Sequence, residues 1–152
     1  MSGARRPAAD FVPHRPPMLF VDEVGENTAT SVTCYATLRP DSILLDGEHA
    51  RPVVLIELVA QASAVYLGLK AIREGRPPRT GVLVGCREAE LLAPQLSVGD
   101  VLTVKIEVLF DDPEVSGFTG EVTRGGEVIA RVNLTVVDGD PATPAAAREP
   151  TP

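Results

Sequence analysis

The run from Pro52 to Lys70 reads Pro-Val-Val-Leu-Ile-Glu-Leu-Val-Ala-Gln-Ala-Ser-Ala-Val-Tyr-Leu-Gly-Leu-Lys, apolar on nearly every helical face yet holding one carboxylate, Glu57. A helix that is hydrophobic all round is a membrane span or the buried centre of a domain. The apolar stretch before Glu57 is too short to cross a bilayer, and Glu57 with Gln61 would sit badly in lipid. The run is therefore expected to be a core helix, ending near Gly75 with Pro77-Pro78 as the stop. At 3.6 residues per turn, Glu57, Gln61, Ala64 and Gly68 fall on one stripe that is polar or small while the other faces are bulky. A buried carboxylate beside small residues reads as the wall of a narrow pocket.

The rest of the chain reads as strands around that helix. Val32, Cys34, Ala36 and Leu38 alternate with Ser31, Thr33, Tyr35 and Thr37. Met18 to Val24, Thr80 to Leu92, Val101 to Phe110, Val115 to Thr123 and Val128 to Val137 complete about six strands, and Gly125-Gly126 marks a hairpin between the last two. Gly25 to Thr28 reads as the turn between the first two strands, and Asp46 to His49 as a loop leading into the helix. This order predicts an α+β fold with an antiparallel sheet wrapped round one helix. Residues 1–10 and 139–152, rich in Pro, Ala and other small or polar residues, are read as disordered tails flanking one domain at 11–138. An all-apolar helix needs cover on its open side, and a second copy of the chain, or a related chain, is the simplest cover.

Charge and cysteine content exclude several partners. The net charge is −7 and the basic residues form no stripe, which argues against nucleic acid and against docking on an anionic membrane. No membrane span is expected. The opening residues lack the apolar segment of a signal peptide, and the two cysteines, Cys34 and Cys86, have no metal-ligand spacing, so free thiols in a cytoplasmic protein are expected. No cofactor or metal motif is present in the sequence.

The segment Phe11-Val-Pro-His14-Arg15-Pro-Pro-Met-Leu-Phe-Val-Asp22-Glu-Val resembles the "LPHR…P-x-L-x-V-D-x-V" opening of bacterial 3-hydroxyacyl-acyl-carrier-protein dehydratases. Ile56-Glu57-Leu-Val-Ala60-Gln61-Ala resembles the "E-x-x-A-Q" start of their central helix, and Val98-Gly99-Asp100 their "P-G-D" strand entry. The match runs through residues 11–138 in consistent order and implies the hotdog fold, functioning as a dimer. The fatty-acid enzymes of the FabA/FabZ type carry a histidine fourteen residues before the helix acid; Ile43 stands there here, and the nearby histidine is His49, eight before Glu57. The shortened loop is similar to the divergent ApeP-like branch found with aryl-polyene and polyketide-type gene sets.

The resemblance implies dehydration of a 3-hydroxyacyl thioester, carried on acyl carrier protein or coenzyme A, to the trans-2-enoyl thioester. That reaction needs a base for the C2 proton, an acid for the leaving 3-hydroxyl and donors for the thioester oxygen. Glu57 is the candidate acid, since a buried carboxyl can keep its proton and donate it; the alternative is a structural pair with an arginine. Gln61, one turn on, would orient it. His49 is the candidate base, against the alternative of an exposed loop histidine beside Glu48. His14 is implied to be mainly architectural. Backbone N–H groups near Val53 and Val54 would supply the oxyanion site. Ala64, Gly68, Val82, Leu83 and Gly85 would line the substrate pocket. Two further readings remain: a non-catalytic hotdog subunit partnering a competent dehydratase, and an acyl thioesterase with Glu57 activating water.

Overall fold

The computed structural model describes residues 3–77 and 80–139. Among the described residues, nine strands and one long helix follow in the order β1 (Arg6–Pro7), β2 (Glu23–Asn27), β3 (Ser31–Thr37), β4 (His49–Ala50), α1 (Val54–Arg73), β5 (Thr80–Leu91), β6 (Leu96–Ser97), β7 (Val101–Asp111), β8 (Val115–Arg124) and β9 (Glu127–Gly139). Seven strands form one antiparallel sheet in the order β1-β2-β3-β7-β8-β9-β5, and β4 with β6 forms a separate pair. This is the expected hotdog arrangement. The main sheet holds seven strands rather than about six, because β1 adds itself at one edge.

The period-two pattern is what wraps the sheet round the helix. Val32, Cys34 and Ala36 on β3, Leu102, Val104 and Ile106 on β7, Val122 on β8, and Ala130, Val132 and Leu134 on β9 are all buried. Their registers align in rows: Cys34 opposite Val104, Val104 opposite Val122, and Val122 opposite Ala130. The neighbouring row runs from Ile106 through Gly120 to Val132. A side chain at Gly120 would collide with Val59, so this glycine lets α1 settle onto the sheet. Leu55, Val59, Ala62 and Val65 supply the helix's share of the core and are fully buried. Leu55, Val59 and Val65 each contribute about 1.5–3 kcal/mol on burial. The β8–β9 hairpin turns at Gly125 and Gly126, both with positive φ (59° and 81°), as its two-glycine link predicts.

One expectation holds and two shift. Helix α1 is long and apolar enough to cross a membrane by length and composition, but it lies against β3, β5, β7, β8 and β9 in the core. The N-terminal boundary moves from residue 11 to residue 6: β1 pairs with β2, and Ala8 is fully buried, its N–H donating to the Asp22 carbonyl at 2.9 Å. The strand expected from Met18 begins only at Glu23, because the backbone groups of Met18, Phe20 and Val21 bond to the Gln61 side chain instead of a strand. The C-terminal tail from residue 140 lies outside the described residues.

Cys34 and Cys86 are free thiols. Burial pushes the Cys34 thiol up to about 12, which keeps it an inert core residue.

Candidate functional site

Gln61 organises the site. It is 1% exposed, and every hydrogen-bonding direction of its amide is used. Its Oε1 accepts from the N–H of Phe20 (2.8 Å) and of Val21 (3.3 Å). Its Nε2 donates to the Met18 carbonyl (2.8 Å) and to Glu57 Oε1 (3.0 Å). Two backbone donors on Oε1 leave no choice of amide orientation, so Glu57 necessarily faces a donor. Any proton on Glu57 then resides on its other oxygen, Oε2. Glu57 is half-buried and joins none of the ion pairs among the described residues; there its partner is the Gln61 amide.

The segment from Phe11 to Met18 reaches the same helix face by a close approach at Gly68. A Cβ there would overlap the Phe11 carbonyl oxygen, so only glycine lets this segment lie on α1. Prolines 13, 16 and 17 keep it out of helix and sheet. The Arg15 guanidinium braces it by donating to the Val12 carbonyl (2.9 Å) and the His14 carbonyl (2.6 Å).

The result is a cleft of about 170 Å³ between α1, the β9–β5 edge of the sheet and this segment. His14, Glu57, Ala60, Gln61, Ala64, Gly81, Leu83 and Val136 line it. His14 Nδ1 is buried without a hydrogen-bond partner among the described residues. An unpaired buried polar atom costs about 1–3 kcal/mol, and a bound polar group would relieve it.

The cleft gathers Glu57, Gln61, Ala64 and Leu83 from the expected set and leaves the others elsewhere. His49 is exposed on β4, its Nδ1 3.3 Å from Ser97 Oγ, and does not line the Glu57 cleft within one protomer. The pairing of β4 with β6 and the Val98 N–H to Glu48 carbonyl bond (3.0 Å) hold it away. Gly68 continues the Glu57 stripe but lies under the Phe11 carbonyl, not in the cleft. Val54 cannot offer the expected oxyanion donor, because its N–H bonds to the Arg51 carbonyl (3.2 Å). Val53, Val82 and Gly85 are exposed and outside the cleft. His14 is the functional candidate that the sequence reading set aside. Its signal was present: a histidine framed by prolines, on a segment unable to join regular structure.

Comparison with known proteins identifies the family. The ApeP-like family model, described as ApeP dehydratase, matches residues 6–147. The 3-hydroxyacyl-[acyl-carrier-protein] dehydratase FabZ of Bacillus subtilis (strain 168) is 26% identical over 137 residues, covering 86% of this chain and 94% of the relative. Its counterpart in Histophilus somni (strain 2336) is 29% identical over 135 residues, covering 82% and 84%. Among solved structures, the dehydratase heterocomplex ApeI:P from Xenorhabdus doucetiae matches with a TM-score of 0.85 at 25% identity, covering 90% of this chain and 93% of that one. A hypothetical thioesterase with coenzyme A from Streptococcus pneumoniae TIGR4 matches at a TM-score of 0.59 and 19% identity, over 77% of this chain and 84% of that one, and so shares the fold alone. With the family match reaching from β1 past β9 and enclosing every residue of the cleft, the chain belongs to the ApeP-like dehydratase family.

Proposed function

We propose that this protein dehydrates a 3-hydroxyacyl thioester, carried on acyl carrier protein or coenzyme A, to the trans-2-enoyl thioester. The observation that carries the reading is one cleft holding a carboxyl oriented by Gln61 and an imidazole with an unpartnered, buried Nδ1. Neutral His14 takes the C2 proton. The electron pair of that C–H bond forms the C2–C3 double bond as the C3–O bond breaks. Glu57, protonated on Oε2, gives its proton to the leaving hydroxyl, which departs as water. Proton exchange with solvent then restores both groups. His14 replaces His49 in the proposed mechanism, because it shares Glu57's cleft.

The cleft is bordered by β5, a twelve-residue strand that among the described residues is bonded only on its β9 side. Val82, Leu83 and Val84 are exposed along it, at 45%, 42% and 57%. A long apolar edge is a template for pairing with another strand. The same proposal therefore includes a dimer along β5, with a second copy or with a related hotdog chain; the ApeI:P match, a heterocomplex, supports the related chain.

The test is turnover of 3-hydroxyacyl thioester by the protein with its dimer partner, followed by mass spectrometry. Glu57→Gln and His14→Ala should each lose about 100- to 10,000-fold while keeping the fold, and His49→Ala should stay within about threefold. Loss in His49→Ala with His14→Ala unaffected would refute the assignment of the base. Release of free thiol without enoyl product would refute the reaction.

A further inference from the structure

His14 enters the Glu57 cleft from the Phe11–Met18 segment, which belongs to no strand or helix. Its ring is not oriented from within the cleft wall. Nδ1 has no hydrogen-bond partner among the described residues, whereas a catalytic imidazole is ordinarily turned by an acceptor on its second nitrogen. The backbone on either side of His14 has to do that work.

That backbone is seated on α1 at its ends. The Phe11 carbonyl lies over Gly68, and the Met18 carbonyl accepts from Gln61 Nε2 at 2.8 Å. Between them Pro13, Pro16 and Pro17 have no N–H to give, and the Met18 N–H turns back to the Arg15 carbonyl at 2.9 Å. The Val12 and His14 carbonyls are held by a side chain instead. One nitrogen of Arg15, Nη1, donates to both, at 2.9 Å to Val12 and 2.6 Å to His14. Bonds from a charged donor are roughly twice as strong as neutral ones. The guanidinium thus ties the peptide before Pro13 to the peptide after His14 and closes the turn from which the imidazole projects. Arg15 itself is exposed and does not line the cleft.

We propose that Arg15 is the positioning residue of His14: it acts on the reaction through the turn it closes, by setting where the imidazole stands relative to Glu57. The inference rests on the dehydration reading, in which His14 is the base. Because a single nitrogen makes both bonds, an ammonium on a flexible stem can stand in for the guanidinium, unlike sites where arginine grips a planar acid with two arms.

The test compares Arg15→Met, which keeps the stem and removes the donor, with Arg15→Lys. Both are made in the full chain with its dimer partner and assayed where circular dichroism shows them folded. In turnover of 3-hydroxyacyl thioester, Arg15→Met should lose at least about tenfold in kcat with KM within about threefold, since misplacing a catalytic group by about 1 Å costs up to about 100-fold. Arg15→Lys should return to within about threefold of the parent. Added to His14→Ala, Arg15→Met should cost less than about threefold more, because its effect passes through a group already removed. A second readout is independent of activity. The chain has two histidines, His14 and His49, so His14→Ala assigns their ring proton signals in NMR. In Arg15→Met the His14 signal should move and broaden while that of His49 stays in place. Should Arg15→Met not fold, Arg15→Gln, whose shorter side chain does not reach both carbonyls, replaces it. A raised KM with kcat kept, Arg15→Lys no better than Arg15→Met, a full further loss in the double variant, or an unmoved His14 signal in a folded variant would each overturn the inference. If the parent dehydrates no thioester, the dehydration reading fails, and the two ring signals still decide whether Arg15 sets the imidazole.

Discussion

Replacing Gln61 with methionine keeps the side-chain volume and removes all four hydrogen bonds of the amide. Methionine suits the neighbouring core, so the substitution opens no cavity. What remains are the Phe20 and Val21 N–H groups and the Met18 carbonyl without the amide. Val21 is fully buried and Phe20 half-buried, so their N–H groups lose their partner, whereas Met18 is 53% exposed and its carbonyl can turn to water. Each buried group left unsatisfied costs about 1–3 kcal/mol. The expected destabilisation is therefore about 2–4 kcal/mol, and at about 2–4 °C per kcal/mol for a domain of this size the thermal midpoint should fall by roughly 10 °C. Urea unfolding followed by circular dichroism gives the free-energy change directly. Turnover measured below the new midpoint should fall chiefly in kcat, since Glu57 loses the donor on its Oε1 while the cleft walls persist. A midpoint within about 2 °C of the parent would refute the claim that the amide pins residues 18–21 to the helix.

Gly68→Ala should destabilise the protein by about 1–3 kcal/mol, although alanine is the better helix former by about 1 kcal/mol, because its Cβ would overlap the Phe11 carbonyl; a more stable variant in urea unfolding would contradict that close approach. For Asp111, burial alone would raise the carboxyl, but hydrogen bonds from Lys70 (2.6 Å) and Ser116 (2.8 Å) outweigh it and hold the group below its ordinary range. A carboxyl lowered in the folded state stabilises above its unfolded pKa and loses that contribution as pH falls through the folded value. Asp111→Asn should therefore unfold earlier than the parent at neutral pH, with the gap closing below about pH 4, and a gap that stays constant with pH would count against the ion pair. Val84→Lys on β5 should convert a dimer to monomer in sedimentation without changing the circular dichroism, and a variant that sediments as the parent does would remove that edge as the contact.

Local pattern made much of the architecture legible. Period-two alternation through Val32, Cys34 and Ala36 reports which side of a strand faces the core, because side-chain direction in a strand depends on nothing but parity. The Pro52–Lys70 run announced a buried helix because no surface helix tolerates apolar residues on every face, and Glu57, Gln61 and Ala64 do share one stripe. Which histidine joins that stripe was not legible. His49 is eight residues from Glu57 and His14 is forty-three, yet the cleft contains His14. The deciding contacts are long-range: β4 pairing with β6 carries His49 to Ser97, while Gln61's bonds to Met18, Phe20 and Val21 and the gap at Gly68 seat the Phe11–Met18 segment on the helix. A proline-rich segment has no periodicity to show where it lies. Its position depends on hydrogen bonds and close approaches to residues some forty to sixty places away along the chain, and those exist only once the sheet has closed round α1.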